Sequence, residues 1–303
     1  MLSTDVERYV SLRQTLGFKL IGAARNLRAF GRFADARGDT HVHTTTAIEW
    51  AVAASSPHAR HIRLRDVVKL ARFLAAEDAS HEIPSMMAVR GRFARPLPYI
   101  YTPEEIGRIV ATADCIRATY PMRRPGYASM LGLIASTGLR VSEALNLRFD
   151  DVLPDGVLRI RYTKFGKSRL VPLHPTTKNA LDRYLALRRA VAVPDDHIFL
   201  SASNTRITSG MVNYTFRRIL KLAKVAPARA RRPRIHDLRH TFATRALERC
   251  SSERGAVSRH FVALSTYLGH VDIKATYWYL EATPELMTDI AAAGELLAAG
   301  GVR

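Results

Sequence analysis

The sequence predicts a mainly α-helical protein with one small antiparallel β-hairpin or sheet, organised as two domains. Three observations carry this prediction. Apolar residues recur at spacings of three and four along most of the 303-residue chain. Alternation of apolar and polar residues is concentrated between Val157 and Leu173. A stretch rich in proline and arginine, IPSMMAVRGRFARPLPYIY, interrupts both patterns between Ile83 and Tyr101.

Residues 1–82 read as about four amphipathic helices. Val6, Tyr9, Val10 and Leu16 form one stripe, and Leu27, Phe30 and Ala34 a second that stops at Gly38. Ala47, Trp50, Ala51 and Ala54 form a third, followed by Ile62, Val67, Leu70, Ala71 and Leu74. Arg60, Arg63, Arg65, Lys69 and Arg72 decorate the last helix, either as a solvated face or as a DNA-facing one. Residues 83–101 read as an extended basic linker. A second domain, 102–303, opens at Thr102-Pro103-Glu104-Glu105, where threonine at the N-cap, proline at the first position and glutamate at the third make a capping box. Within it, VLRIRYT (157–163) and RLVPL (169–173) read as a hairpin with Lys164 and Lys167 at its tip, and residues 150–156 as turn. Helical patterns follow at 176–189, 209–222, 237–248, 258–268, 272–281 and 284–298.

Hydrophobic residues make up 47% and charged residues 24%, so a folded core is expected. Against 27 Asp and Glu stand 46 Lys and Arg, a formal charge of +19. Such a surplus favours a polyanionic partner, because neutralising phosphates releases condensed counterions; a solubilising cationic surface and a membrane-surface protein are the other readings. Cys115 and Cys250 have no zinc-ligand spacing and read as reduced thiols. The N-terminus lacks the order of a signal peptide, and no window reaches the ~18 apolar residues of a spanning helix. The expectation is therefore a soluble cytoplasmic protein.

Four separated segments hold side chains suited to a phosphodiester. STGLRVSEALNL (136–147) carries Arg140 beside a glycine turn, and the hairpin tip carries Lys164. RIHDLRHTFAT (234–244) places His236 and Arg239 three residues apart on one helix face, and LGHVDIKATYWYL (268–280) carries His270 after a glycine stop and Tyr279 on the next helix. Singly, each is an ordinary surface or core residue. Jointly, they are what in-line attack by a protein nucleophile requires. Guanidinium forks hold and neutralise the phosphate, lysine or imidazole moves protons, and a phenol attacks.

These segments, in this order, resemble the boxes of the tyrosine recombinase/integrase family, in its phage integrase-like, Xer-type two-domain form. TGLRVSEALNL resembles the first arginine box, TKFGKSRLVPL the lysine hairpin, HDLRHTFAT the second arginine box, and LGH with Tyr279 nine residues after His270 the last. The resemblance covers most of residues 102–285. It implies that Tyr279 forms a 3′-phosphotyrosyl link, that Arg140 and Arg239 grip the non-bridging oxygens and that Lys164 protonates the leaving 5′-oxygen. His236 would assist proton transfer, His270 would hydrogen-bond a phosphate oxygen and Glu143 would support the first box. No cofactor, metal or ATP is implied. Residues 1–82 would be a helical core-binding domain. Tyr277 projects about 200° from Tyr279 on a helix, so one of the pair faces the phosphate; family spacing selects Tyr279. CSSERGAVS (250–258) reads as an insertion before His270.

The run Arg229, Arg231, Arg232 and Arg234 leads into His236; a nuclear-localisation patch is the routine reading of such a cluster, but its place beside the site favours a grip on backbone phosphates, with Arg63, Lys69 and Lys167 as further DNA contacts. Leu286, Met287, Ile290, Ala293, Leu296 and Leu297 form an apolar helical face that packs on its own domain or, as the family implies, docks into a neighbouring subunit. The implied partner is double-stranded DNA. The implied assembly is a homotetramer on two duplexes with C-terminal helix exchange, with a partner recombinase as a further possibility, in the bacterial nucleoid. A type IB topoisomerase-like enzyme and a non-cutting DNA-binding protein on the same fold are the rival readings.

Overall fold

The computed structural model describes residues 1–89, 97–116, 123–161, 168–225, 232–249, 254–270 and Thr276. The chain divides into two compact units, Met1–Pro96 and Leu97–Arg303. Lys164, Lys167, Tyr277, Tyr279, Arg229, Arg231, Cys250 and the whole of 284–298 lie outside the described residues.

Among its described residues the first unit has four α-helices: α1 (Leu2–Thr15), α2 (Ile21–Asp35), α3 (Thr44–Val52) and α4 (Pro57–Leu74). Their stripes meet in one core of Leu2, Val6, Val10, Leu27, Phe30, Trp50, Leu64 and Leu70. Ser56 starts α4 by accepting the Ala59 N–H at 3.2 Å, and Pro57 takes the first turn, where no N–H is needed. Two expectations shift. Leu16 falls beyond the end of α1 and is exposed, because the chain turns at Gly17 instead of continuing the stripe. Arg60 and Arg63 bend inward: Arg60 donates to the Ala54 carbonyl at 2.9 Å, and Arg63 to the Trp50 carbonyl at 3.1 Å while lying over the Trp50 ring. Lys69 and Arg72 remain exposed.

The second unit begins with α5 (Pro103–Cys115). Glu105 N–H donates to Thr102 Oγ1 at 3.2 Å and Thr102 N–H to Glu105 Oε2 at 3.0 Å, the reciprocal cap expected from the sequence. Thr102→Ala is expected to cost about 1 kcal/mol in urea unfolding, the ordinary worth of an N-cap. Next comes α6 (Arg123–Thr137), with Tyr127, Met130, Leu131, Leu133, Ile134 and Thr137 all buried. That burial around the helix fits its place between α5, α8 (Pro175–Arg189) and α10 (His236–Glu248). The remaining α-helices among the described residues are α7 (Val141–Leu145), α9 (Ser209–Leu222) and α11 (Arg254–Leu268). The segment read as an insertion therefore contributes the start of α11.

The sheet has order β1 (Val152–Leu153), β2 (Val157–Ile160), β3 (Arg169–Pro172), all antiparallel. Leu158, Ile160 and Val171 face the core while Arg159 and Leu170 face out, the two-residue period of a half-buried sheet. The strand β1 was not foreseen. Its two residues lie inside a segment rich in Asp, Pro and Gly, too short to show a period.

Candidate active site

The site is assembled from two turns. At the first, α6 ends and Gly138 takes φ +63, a left-handed conformation that L side chains avoid. A Cβ there would stand 2.5 Å from Phe242 Cδ1 and 3.0 Å from Leu268 Cδ2, so glycine lets α10 and the end of α11 close against the turn. At the second, α11 ends in a Schellman motif: Gly269 N–H donates to Thr266 O and His270 N–H to Ser265 O, both at 3.0 Å, with Gly269 at φ +67.

Arg239 joins the two. Its side chain, on the first turn of α10, is buried and donates to Gly138 O and Leu268 O, each at 2.7 Å. Its Nη2 also lies 3.1 Å from His270 Nε2. A guanidinium only donates, so in the neutral ring Nε2 accepts and Nδ1 carries the proton, which it gives to Thr276 Oγ1 at 2.6 Å. Arg140, at the N-cap of α7, donates from Nη1 to Glu143 Oε1 at 2.6 Å and from Nη2 to Gly269 O at 3.2 Å. Arg140, Arg239 and His270 thus share one network, although they lie in three separate boxes.

Glu143 is buried beneath Arg140. Arg169 grips it from behind, Nη1 to Oε1 at 3.0 Å and Nη2 to Oε2 at 2.8 Å. Burial alone would raise the Glu143 carboxyl, but Arg169 and then Arg140 bring it down to about 2. Arg169 is the site residue that the sequence reading missed. Its signal was present: it stands two residues before the inward-facing Val171 on a strand of period two, so it is a charge on a core-facing register.

His236 opens α10, its ring 4.7 Å from that of His240 in a T-shaped contact. The turn before it is fixed by buried Asp237, which accepts from Arg234 N at 2.8 Å and Arg234 Nη2 at 3.0 Å, and by Tyr101 Oη donating to Arg234 O at 3.0 Å. Arg232 and Arg234 are exposed.

His236 and His270 are both held below the ordinary imidazole value. Desolvation is the larger cause and Arg239 the next, with His270 brought to about 4. His236 is the more exposed of the two, so water offsets part of its burial and the effect on His270 is the larger. The unfolded chain takes up these protons first. The histidine contribution to stability is therefore fully present above pH 6.5 and declines as pH falls toward about 4. Urea unfolding of the DNA-free protein at pH 7.5 and pH 5 checks this: stability is expected to fall, less so in His270→Asn. An equal slope in that variant contradicts it.

Two groups among the described residues bring together metal-ligand side chains, and neither fits an ion well. In His41, Asp78 and His81, His81 Nδ1 accepts the Val42 N–H at 3.1 Å, which leaves the proton on Nε2 of the neutral ring. In Asp195, Asp196 and His197, Asp195 already accepts from the backbone N–H groups of His197 at 2.9 Å and Arg206 at 3.1 Å.

A mostly helical chain with a small antiparallel sheet, in which two arginines and a histidine from separate boxes share one network, has the make-up of a tyrosine recombinase. The model of the phage integrase family matches residues 100–285. The y4rB protein of Sinorhizobium fredii, named as an integrase/recombinase, is 38% identical over 294 residues, covering 94% of each chain. The tyrosine recombinase XerD of Caulobacter vibrioides is 32% identical over 289 residues, covering 88% of this chain and 90% of its own. The fold is also similar to that of a lambda integrase tetramer bound to a Holliday junction, with TM-score 0.70 and 19% identity over 92% of this chain and 76% of that one. The chain belongs to the phage integrase family and is a tyrosine-type site-specific recombinase.

Proposed function

We propose that this protein cuts and rejoins double-stranded DNA through a 3′-phosphotyrosyl link to Tyr279, with neither metal nor ATP. The observation that carries the reading is the joining of Arg140, Arg239 and His270 in one network. The Tyr279 phenolate attacks phosphorus; the bond to the 5′-oxygen breaks, and that oxygen takes a proton from Lys164. His236 accepts the phenol proton. Arg140 and Arg239 hold the non-bridging oxygens, where charge builds up, and His270, once its proton moves from Nδ1 to Nε2, donates a further hydrogen bond. The new ester retains the bond energy of the old one, so a 5′-hydroxyl from another strand reverses the step without an added energy source. The guanidiniums supply the positive field that a metal ion would otherwise bring.

In this reading residues 1–82 are the core-binding domain, 83–101 the linker and 102–303 the catalytic domain. Exposed Lys69, Arg232 and Arg234 contact backbone phosphates together with Arg229, Arg231 and Lys167. Arg63, engaged with Trp50, contributes through packing as much as through charge. Four protomers act on two duplexes and exchange the 284–298 segment; the DNA-bound lambda integrase tetramer supports that assembly. Among the described residues no helix is long and apolar enough to cross a membrane, in keeping with action on DNA in the cytoplasm and nucleoid.

The test uses duplexes selected from a random pool for binding, then cloned in pairs on a plasmid. Recombinant products and an SDS-resistant protein–DNA adduct are expected. Relaxation without recombination supports the topoisomerase reading, and a gel shift without any adduct supports a binding protein.

A further inference from the structure

The residue behind the site, Arg169, has no role in the mechanism above, yet its surroundings are unusually constrained. Its side chain is 10% exposed and that of Glu143 5%, against 25% for Arg140. The two oxygens of Glu143 are each shared. Oε1 accepts from Arg140 Nη1 and Arg169 Nη1, and Oε2 from the Arg140 backbone N–H at 3.0 Å and Arg169 Nη2. The third donor of Arg169, Nε, reaches the Tyr267 carbonyl at 2.7 Å. Two residues on, the Gly269 carbonyl accepts from Arg140. A Cβ on Gly269 would stand 2.8 Å from Arg169 Nη1, so the left-handed glycine also makes room for this guanidinium.

These contacts close a ring. It runs from β3 through Arg169 to Glu143, through Arg140 to the turn at Gly269, and back through Tyr267 to Arg169. Charge follows the same path. Paired with Glu143 alone, Arg140 would present no net charge. With Arg169 added, the three groups carry one net positive charge, and Arg140 is the member nearest solvent. Arg169 also opens β3, five residues after Lys164 in the sequence.

We infer that Arg169 is a positioning residue for phosphate recognition: it takes up the Glu143 carboxylate so that Arg140 offers its charge to the DNA, and it ties β3 to the turn bearing His270. This rests on the covalent mechanism proposed above. Only a guanidinium at position 169 gives this geometry. Lysine lacks the planar fork that fills both carboxylate oxygens and the Tyr267 carbonyl together.

The experiment measures single-turnover adduct formation on a nicked duplex, DNA affinity by gel shift and thermal melting. It compares wild type, Arg169→Met, Arg169→Lys and Arg169→Met combined with Glu143→Gln. Arg169→Met is expected to bind DNA within about threefold of wild type but to form adduct about 30-fold more slowly, a smaller loss than the ~10²–10³-fold of a direct transition-state donor. Arg169→Lys recovers little. The added Glu143→Gln, which removes the uncompensated buried charge, recovers about tenfold and restores folding if the single variant melts early. Because protonating Glu143 has the same effect, the deficit of Arg169→Met narrows as pH falls from 7 to 5, which a merely structural role does not produce. Adduct formation by Arg169→Met at the wild-type rate, or a double variant no faster than the single one, overturns the inference. Absence of adduct in wild type instead contradicts the covalent reading itself.

Discussion

Arg239→Lys is expected to slow adduct formation by about 10²–10³-fold while DNA affinity stays within about tenfold, the pattern of a lost transition-state contact. The native side chain meets the carbonyls of Gly138 and Leu268 with different nitrogens of one rigid plane, and one of those nitrogens also faces His270. The carbonyls fix the plane, so the group needs little reorganisation when phosphate arrives. An ammonium can reach one carbonyl but cannot span both in that plane. The buried carbonyl left without a donor costs stability as well, so the rate is taken per folded molecule. Fluorescence-monitored unfolding beside single-turnover cleavage separates the two effects. A variant within threefold of wild type would show that Arg239 is a brace for the turns and nothing more.

The second large effect is on stability. Gly138→Ala is expected to destabilise the catalytic unit by about 2–4 kcal/mol, combining the cost of a left-handed L residue with overpacking of the core. The added methyl meets Phe242 and Leu268, one from each helix that frames the site. Phe242 packs at 5.7 Å from Tyr267, whose carbonyl accepts from Arg169, so the displacement passes into the network. Adduct formation should fall along with stability. Equilibrium urea unfolding checks the magnitude, and a loss below about 1 kcal/mol would mean that the turn adapts freely.

Much of this architecture was legible in the chain. The capping box at Thr102 stood out because four consecutive residues each fill a position with its own backbone demand. The helices of the first unit were legible from their apolar stripes, and the hairpin register from the alternation that puts Leu158 and Val171 on one face. Gly269 read as a helix stop, and it is one. Arg140, Arg239 and His270 could be selected from sequence because each sits in a box with its own order of residues. What linked them could not be seen. The Arg239 contacts are to backbone carbonyls, which every residue type possesses, so no side-chain pattern announces them. Arg169 was overlooked because an arginine in a short strand reads as solvated unless the register is followed to the core side. Nor could the turn of Arg63 onto Trp50 be seen, since a long side chain can reach back over a neighbouring helix.

Covalent trapping on a nicked suicide duplex identifies the nucleophile. Wild type, Tyr279→Phe and Tyr277→Phe are compared for an SDS-resistant adduct at equal DNA occupancy. An adduct is expected in wild type and Tyr277→Phe and none in Tyr279→Phe. An adduct that persists in Tyr279→Phe and disappears in Tyr277→Phe would make Tyr277 the nucleophile and overturn the assignment.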